Sequence, residues 1–286
     1  MTDSVDRLID LKTALTAFVE ARTVQSQEHI RPLHQHIAQR LVIEGGFDPD
    51  IITPRPPLVV DTRGTGRRQR HLLSFDASAA IPGEQTVLGG LKTKSVDVVV
   101  ALPRIGPCLA ISVKGTFNAF RNLTNRMEEA AGDCTNLHMS YPALVYGFVH
   151  VMRANRSEDV PNRNDVALLP DGTVVDVIQR YHDAMSRLTG RFDLRDDVSR
   201  YEAVALALVH PRGANVAEVI NEYPLAESRL AFADFFSTLY QAYDLRFVFT
   251  APALESVTRR REWSNDSPIL DDASAAGFLP RLAGAE

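Results

Sequence analysis

The sequence predicts a mixed α/β fold, a central sheet flanked by helices, on three observations. Residues 96 to 100 and 108 to 114 are runs of Val, Leu, Ile and Ala around the turn-forming segment Pro103-Arg104-Ile105-Gly106-Pro107, which reads as a hairpin. Residues 143 to 152 and 201 to 209 are short and almost continuously apolar, as strands buried on both faces are. Segments with helical spacing of apolar positions lie between and around these strands.

The elements follow in order. Val5, Leu8, Ile9, Leu11, Leu15 and Phe18 recur at helical spacing and predict a helix over 4 to 22. A second helix is predicted over about 25 to 43, with Pro32 marking a break or a late start. The proline-rich stretch 51 to 57 closes this region. Short strands are predicted at 58 to 61 and 72 to 75, around an arginine-rich loop. After the hairpin, a helix is predicted from about 117 to 131, closed by Gly132. Another spans about 173 to 189 and ends at Gly190. An aromatic-rich helix covers 227 to 243, and 246 to 250 reads as a short strand. The division expected is one domain over 1–286, with an N-terminal helical region 1–57, a core 58–250 and a C-terminal tail 251–286. Trp263, beside Arg259, Arg260 and Arg261, lies in that tail, which either docks or stays mobile.

Composition sets broad limits. The chain has 286 residues, 45% of them hydrophobic, enough for one large core. A net charge of −5 does not advertise a nucleic-acid binder, but the charge is uneven. Arg63, Arg67, Arg68, Arg70 and His71 form a basic island with Gly64 and Gly66 inside it, and Lys92 and Lys94 add to the basic count nearby. Cys108 and Cys134 have neither a metal-ligand spacing nor the number for a disulfide framework. No leader pattern and no apolar run long enough to span a bilayer occur, so a cytoplasmic protein with no membrane partner is expected.

The chemistry centres on the hairpin. Asp97 stands within a run of valines, where a charge is costly unless it lies at an open end or binds something. Lys114 ends the neighbouring strand, so the turn at Gly106 brings the two to the same end. A plain Asp–Lys ion pair is the competing explanation. Glu128 lies fourteen residues beyond Lys114, and Arg121, Thr124 and Glu128 fall on one helical stripe that would aim Glu128 back at Asp97. Two carboxylates and a lysine suit an oxygen-ligated Mg²⁺. Glu129 is the alternative ligand, about 100° round the helix.

Asp97 followed by Ser112-Val113-Lys114 resembles the PD-(D/E)xK nuclease motif. Ser112 stands where an acid usually precedes the lysine. This resembles the branch of type II restriction endonucleases that reads S-x-K and draws its second carboxylate from the next helix. The resemblance covers about 95 to 130 directly and extends loosely to about 210. It implies a restriction-endonuclease-like fold and a Mg²⁺-dependent cut in double-stranded DNA. Asp97, Lys114, Glu128 and Ser112 would form the catalytic set, with Asp97, Glu128, the Val113 carbonyl and Glu28 around the metal. Arg63, Arg67, Arg68, Arg70, Asn118, Arg121 and Arg126 would meet DNA. A homodimer or higher homo-oligomer is implied, since a duplex cutter needs two sites. Val96 replaces the motif's proline, and Asn118-Ala119-Phe120 replaces the arginine and acid of relatives, so the family's base specificity does not carry over. A repair or modification-dependent nuclease of the same fold, or a non-catalytic DNA-binding protein, are the alternatives.

Other residues carry blander expectations. His34 and His36 point to different faces of a helix, which argues against a metal pair and for surface or DNA-facing positions. Ser112 lacks the surroundings of a nucleophilic serine. Phe232, Phe235, Phe236, Tyr240 and Tyr243 read as core, with a dimer face as the second choice.

Overall fold

The computed structural model describes residues 7–22 and 27–284. Residues 4 to 6 and 25 to 26 of the two predicted N-terminal helices lie outside that range. The first helix, α1, covers Leu11–Glu20 and is capped by Asp10, whose carboxylate accepts from Thr13 N at 2.6 Å. The second, α2, covers Arg31–Ile43 and starts late, with Pro32 in its first turn, where the missing N–H costs nothing.

The central sheet has five strands: β1 (Ile52–Thr53), β6 (Val98–Leu102), β7 (Gly106–Thr116), β8 (Val145–Arg153) and β9 (Ala203–Val209), in that spatial order. The β1/β6 and β6/β7 pairs are antiparallel, whereas β7/β8 and β8/β9 are parallel. The predicted fold class is therefore the one observed, a mixed sheet between helices. Two small hairpins stand apart from it: β2 (Leu58–Arg63) with β3 (Arg70–Phe75), and β4 (Gln85–Leu88) with β5 (Thr93–Val96). Parallel neighbours need long crossovers. These are supplied by α3 (Leu123–Ser140) between β7 and β8, and by α4 (Asp176–Leu188) between β8 and β9.

Strand alternation divides the core into two layers. Val98, Val100, Leu109, Ile111 and Val149 face α1, α2 and the helix α5 (Phe232–Tyr243). Val99, Ala110, Tyr146 and Phe148 face α3 and α4. Phe235, Phe236 and Tyr243 are core, as expected of the aromatic helix.

Three expectations are corrected, and one left open is decided. The helix predicted to close at Gly132 runs on to Ser140, because Cys134 and Leu137 continue its buried stripe and Gly132 keeps a negative φ. The strand predicted at 246 to 250 is a π-helical turn, Asp244–Phe249, continuing α5 without a break. Tyr243 and Phe247 pack ring to ring there, and Thr250 Oγ1 donates to the carbonyls of Leu245 and Arg246. Asp97 is not within a strand but at the bend where the chain leaves the β4/β5 hairpin and enters the central sheet. The tail docks: Trp263 is fully buried, and its indole N–H donates to the carbonyls of Val42 and Ile43. Residues 251 to 284 thus pack onto the end of α2 through Trp263.

Candidate active site

Asp97 owes its position to two ladders. In the β4/β5 hairpin Gln85 lies opposite Val96, so the next pair outward places Glu84 opposite Asp97. In the β6/β7 hairpin Val98 lies opposite Ile111, which brings Asp97 to the level of Ser112 and Val113. The Val113 N–H donates to Asp97 Oδ2 at 2.7 Å. Val96 and Val98, on either side, are fully buried and pin the bend.

The third component arrives from α2. His34 is only 3% exposed, and its Nε2 lies 3.7 Å from Asp97 Oδ1. Ligand atoms of His34, Glu84 and Asp97 all lie within 4.8 Å of one another. Glu84 is held from behind by Ser95, whose hydroxyl donates to Oε2 at 2.6 Å. A cleft of about 460 Å³, lined by Arg31, His34, Gln35, Pro54, Pro82, Gly83 and Glu84, opens onto this cluster.

Burial governs the electrostatics. It pushes the Asp97 carboxyl up to about 6; Glu84 adds to the rise, while the Val113 N–H, Lys114 and Lys94 oppose it. Burial also drives His34 down to about 4, aided by Arg31, His29 and Lys114. His34 is therefore a neutral imidazole near neutrality, the form that can donate a lone pair to a metal. His150 is pushed down to about 3, first by burial and then by Arg126 and Lys114.

Lys114 is half-buried on the face of β7 turned toward α3. Its Nζ lies 3.4 Å from Glu129 Oε1, with Arg126 at 3.7 Å from the other oxygen of the same carboxylate. Lys114 thus reaches Glu129 rather than pairing with Asp97, which removes the simple ion-pair explanation for the two hairpin residues. A tight pocket lined by Lys114, Arg126, Glu129, Ser112, His150 and Tyr201 lies here.

The expected second carboxylate is corrected. Thr124 and Glu128 share a stripe, but it is the solvent face of α3, and Arg121 is exposed on the 3-10 turn Phe120–Asn122 before the helix. The inward face is set by Ala130, Cys134 and Leu137, and helix phase then gives Glu129, not Glu128, the position over Lys114. Glu28 is exposed on the turn Gln27–His29 and does not join the cluster. Val113 meets Asp97 through its N–H. Ser112 is buried with its hydroxyl 2.7 Å from Tyr146 Oη, a bridge between β7 and β8. His34 and His36 do occupy different sides of α2, but both are buried rather than surface-facing. His36 Nδ1 is 2.8 Å from the Ile9 carbonyl, and its ring stacks on Phe278.

The basic residues are spread more widely than the carboxylates. Arg63, Arg68 and Arg70 are exposed on the β2/β3 tip, with Arg63 on Asp61 and Arg70 near Asp266. The side chain of Arg67 lies outside the described set. The tip is braced by the tail, where Ser264 N–H donates to the His71 carbonyl. Asn118 is exposed and accepts from Asn155 at 3.2 Å, and Arg121 is exposed. Lys94 is consumed by a buried pair with Asp133.

Sequence reasoning missed Glu84 and His34. Glu84 carries no local signal, since only the β4/β5 register brings it to Asp97. His34 had one, a histidine on the inner face of an amphipathic helix, obscured by His36 two positions on, which is buried as well. Neither a protein-family model nor a curated protein matches the chain.

Proposed function

We propose that the chain is a divalent-metal-dependent endonuclease of double-stranded DNA, similar in kind to type II restriction endonucleases and acting as a homodimer. One observation carries the reading: at the end of a β-hairpin, the buried Asp97 carboxylate, one oxygen held by the Val113 N–H, converges with Glu84 and with a His34 Nε2 that has no hydrogen-bond partner, and the charge of Lys114 acts on it from the neighbouring strand. A strictly all-oxygen Mg²⁺ shell is not what these residues supply, because one of the three donors is nitrogen. A bound divalent cation would polarise a phosphodiester and acidify a water.

The chain's own residues divide the remaining work. The Val113 N–H fixes one oxygen of Asp97 and leaves the other toward His34 and Glu84. Lys114, steadied by Glu129, offers a cation to a phosphate that enters beside Asp97, where charge builds during attack. Arg126 sits against the same glutamate and adds positive potential. Arg63, Arg68 and Arg70 would hold the DNA backbone, consistent with their exposure.

The test is cleavage of unmethylated and methylated plasmid with Mg²⁺ or Mn²⁺ supplied separately. The wild-type chain should give discrete fragments, and Asp97→Ala and Lys114→Ala none. Cutting by Lys114→Ala at the wild-type rate would sink the site assignment. A smear in place of discrete fragments would favour a repair-type nuclease.

A further inference from the structure

We infer that His34, Glu84 and Asp97 form a site for a first-row transition cation, Mn²⁺ and its successors in the series, in preference to Mg²⁺ or Ca²⁺. The inference rests on the cleft being the reaction centre, and it concerns which ion that centre takes.

Three facts carry it. The His34 Nε2 has no hydrogen-bond partner although the side chain is buried. An unsatisfied nitrogen in such a place is costly, and native proteins rarely keep one without an occupant for the space it faces. The separation from Asp97 Oδ1, 3.7 Å, is too long for a hydrogen bond. It is the separation expected of two donors sharing one ion, since ligand atoms about 2.1 Å from a metal lie about 3 to 4 Å from each other. His36 Nε2 and His150 Nδ1 are also buried without partners. Among the described residues, however, only His34 belongs to a group of converging ligand atoms.

The donor set then selects the ion. Carboxylates suit Mg²⁺, Ca²⁺ and Mn²⁺ alike, whereas imidazole adds affinity for transition ions and little for Mg²⁺. Mn²⁺ is the weakest binder of the first-row series, so a preference for Mn²⁺ over Mg²⁺ is a lower bound for the others. The neighbouring cleft provides entry, with Glu84 at its wall and Arg31 at its rim.

The experiment is titration calorimetry of the full chain with Mn²⁺ and with Mg²⁺, supported by the loss of the free Mn²⁺ electron-spin signal, without DNA. The wild type should bind Mn²⁺ at least about tenfold tighter than Mg²⁺. His34→Gln should erase most of that difference and leave Mg²⁺ nearly unchanged. Glu84→Gln, at a half-buried position less exposed to folding failure, should weaken both ions. Equal affinity of the wild type for the two ions, or an unchanged preference in His34→Gln, overturns the inference while leaving the hydrolase reading intact. Tight, His34-dependent Mn²⁺ binding with no cleavage of DNA supports the inference and removes the hydrolase reading. Absence of any divalent binding overturns both.

Discussion

Asp97→Asn should make the metal-free protein more stable while abolishing cleavage. The Asp97 carboxyl, ordinarily at 3.8, is held at about 6 by burial. A shift of about two pK units corresponds to about 3 kcal/mol at 1.36 kcal/mol each. Because the folded value is raised, the protonated form favours folding at low pH, and that advantage is lost as pH rises through about 6. At pH 8 the ionised carboxylate therefore weighs against the fold by about 3 kcal/mol. Asparagine carries no charge and can still accept the Val113 N–H through its amide oxygen. The assay is denaturant unfolding of both proteins in EDTA from pH 4 to pH 8. The variant should gain about 3 kcal/mol at pH 8, a gain that shrinks to nearly nothing by pH 4. A variant less stable than wild type at pH 8 would mean that Asp97 is a stabilising ion-pair member, and the argument for a carboxylate kept for ligand binding would fail.

Helix phase makes a second prediction: Glu129→Gln should lower cleavage roughly tenfold or more, by releasing Lys114, whereas Glu128→Gln, one position further round the helix from that contact, should leave the rate within about twofold; the reverse order in a single-turnover assay would restore Glu128. Glu202 is buried against Arg191 at 2.9 Å and Arg246 at 2.8 Å, and its second oxygen accepts the Tyr146 N–H. Glu202→Ala strands two guanidinium groups and should cost about 3–5 kcal/mol in denaturant unfolding. Burial pushes the Glu202 carboxyl up, but hydrogen bonding and charge from His138, then Arg246 and the Tyr146 N–H, outweigh it and hold it below its usual range. Its stabilisation is accordingly present above the ordinary 4.5 and is lost on further acidification, which a pH series on the variant would reveal as a flatter acid limb. Trp263→Ala should cost about 3–5 kcal/mol, and deletion of the tail should unfold the chain rather than trim it; a truncated chain with unchanged unfolding would refute the docking.

Much of this site could be read along the chain, and the parts that could not share one property. The 96-to-114 hairpin is a local structure, set by two apolar runs and a turn whose glycine takes a φ of +95°, so Asp97 and Lys114 could be placed at the same end of it from the sequence alone. The continuously apolar strands and the helices between them likewise determined a mixed sheet with helical layers. The choice between Glu128 and Glu129 turned on which helix face packs inward, a matter decided by the shape of the layer beneath α3. Glu84 depended on the register of a hairpin whose strands, with a polar 93 to 95 and Gly89-Gly90 between them, carry weak periodicity. His34 lies sixty-three residues before Asp97, and its burial was settled by how α2 sits on the sheet. Local pattern determines neighbours within a hairpin or a helical turn. The meeting of an imidazole, a loop glutamate and a strand-end aspartate belongs to long-range packing, which no short window of residues encodes.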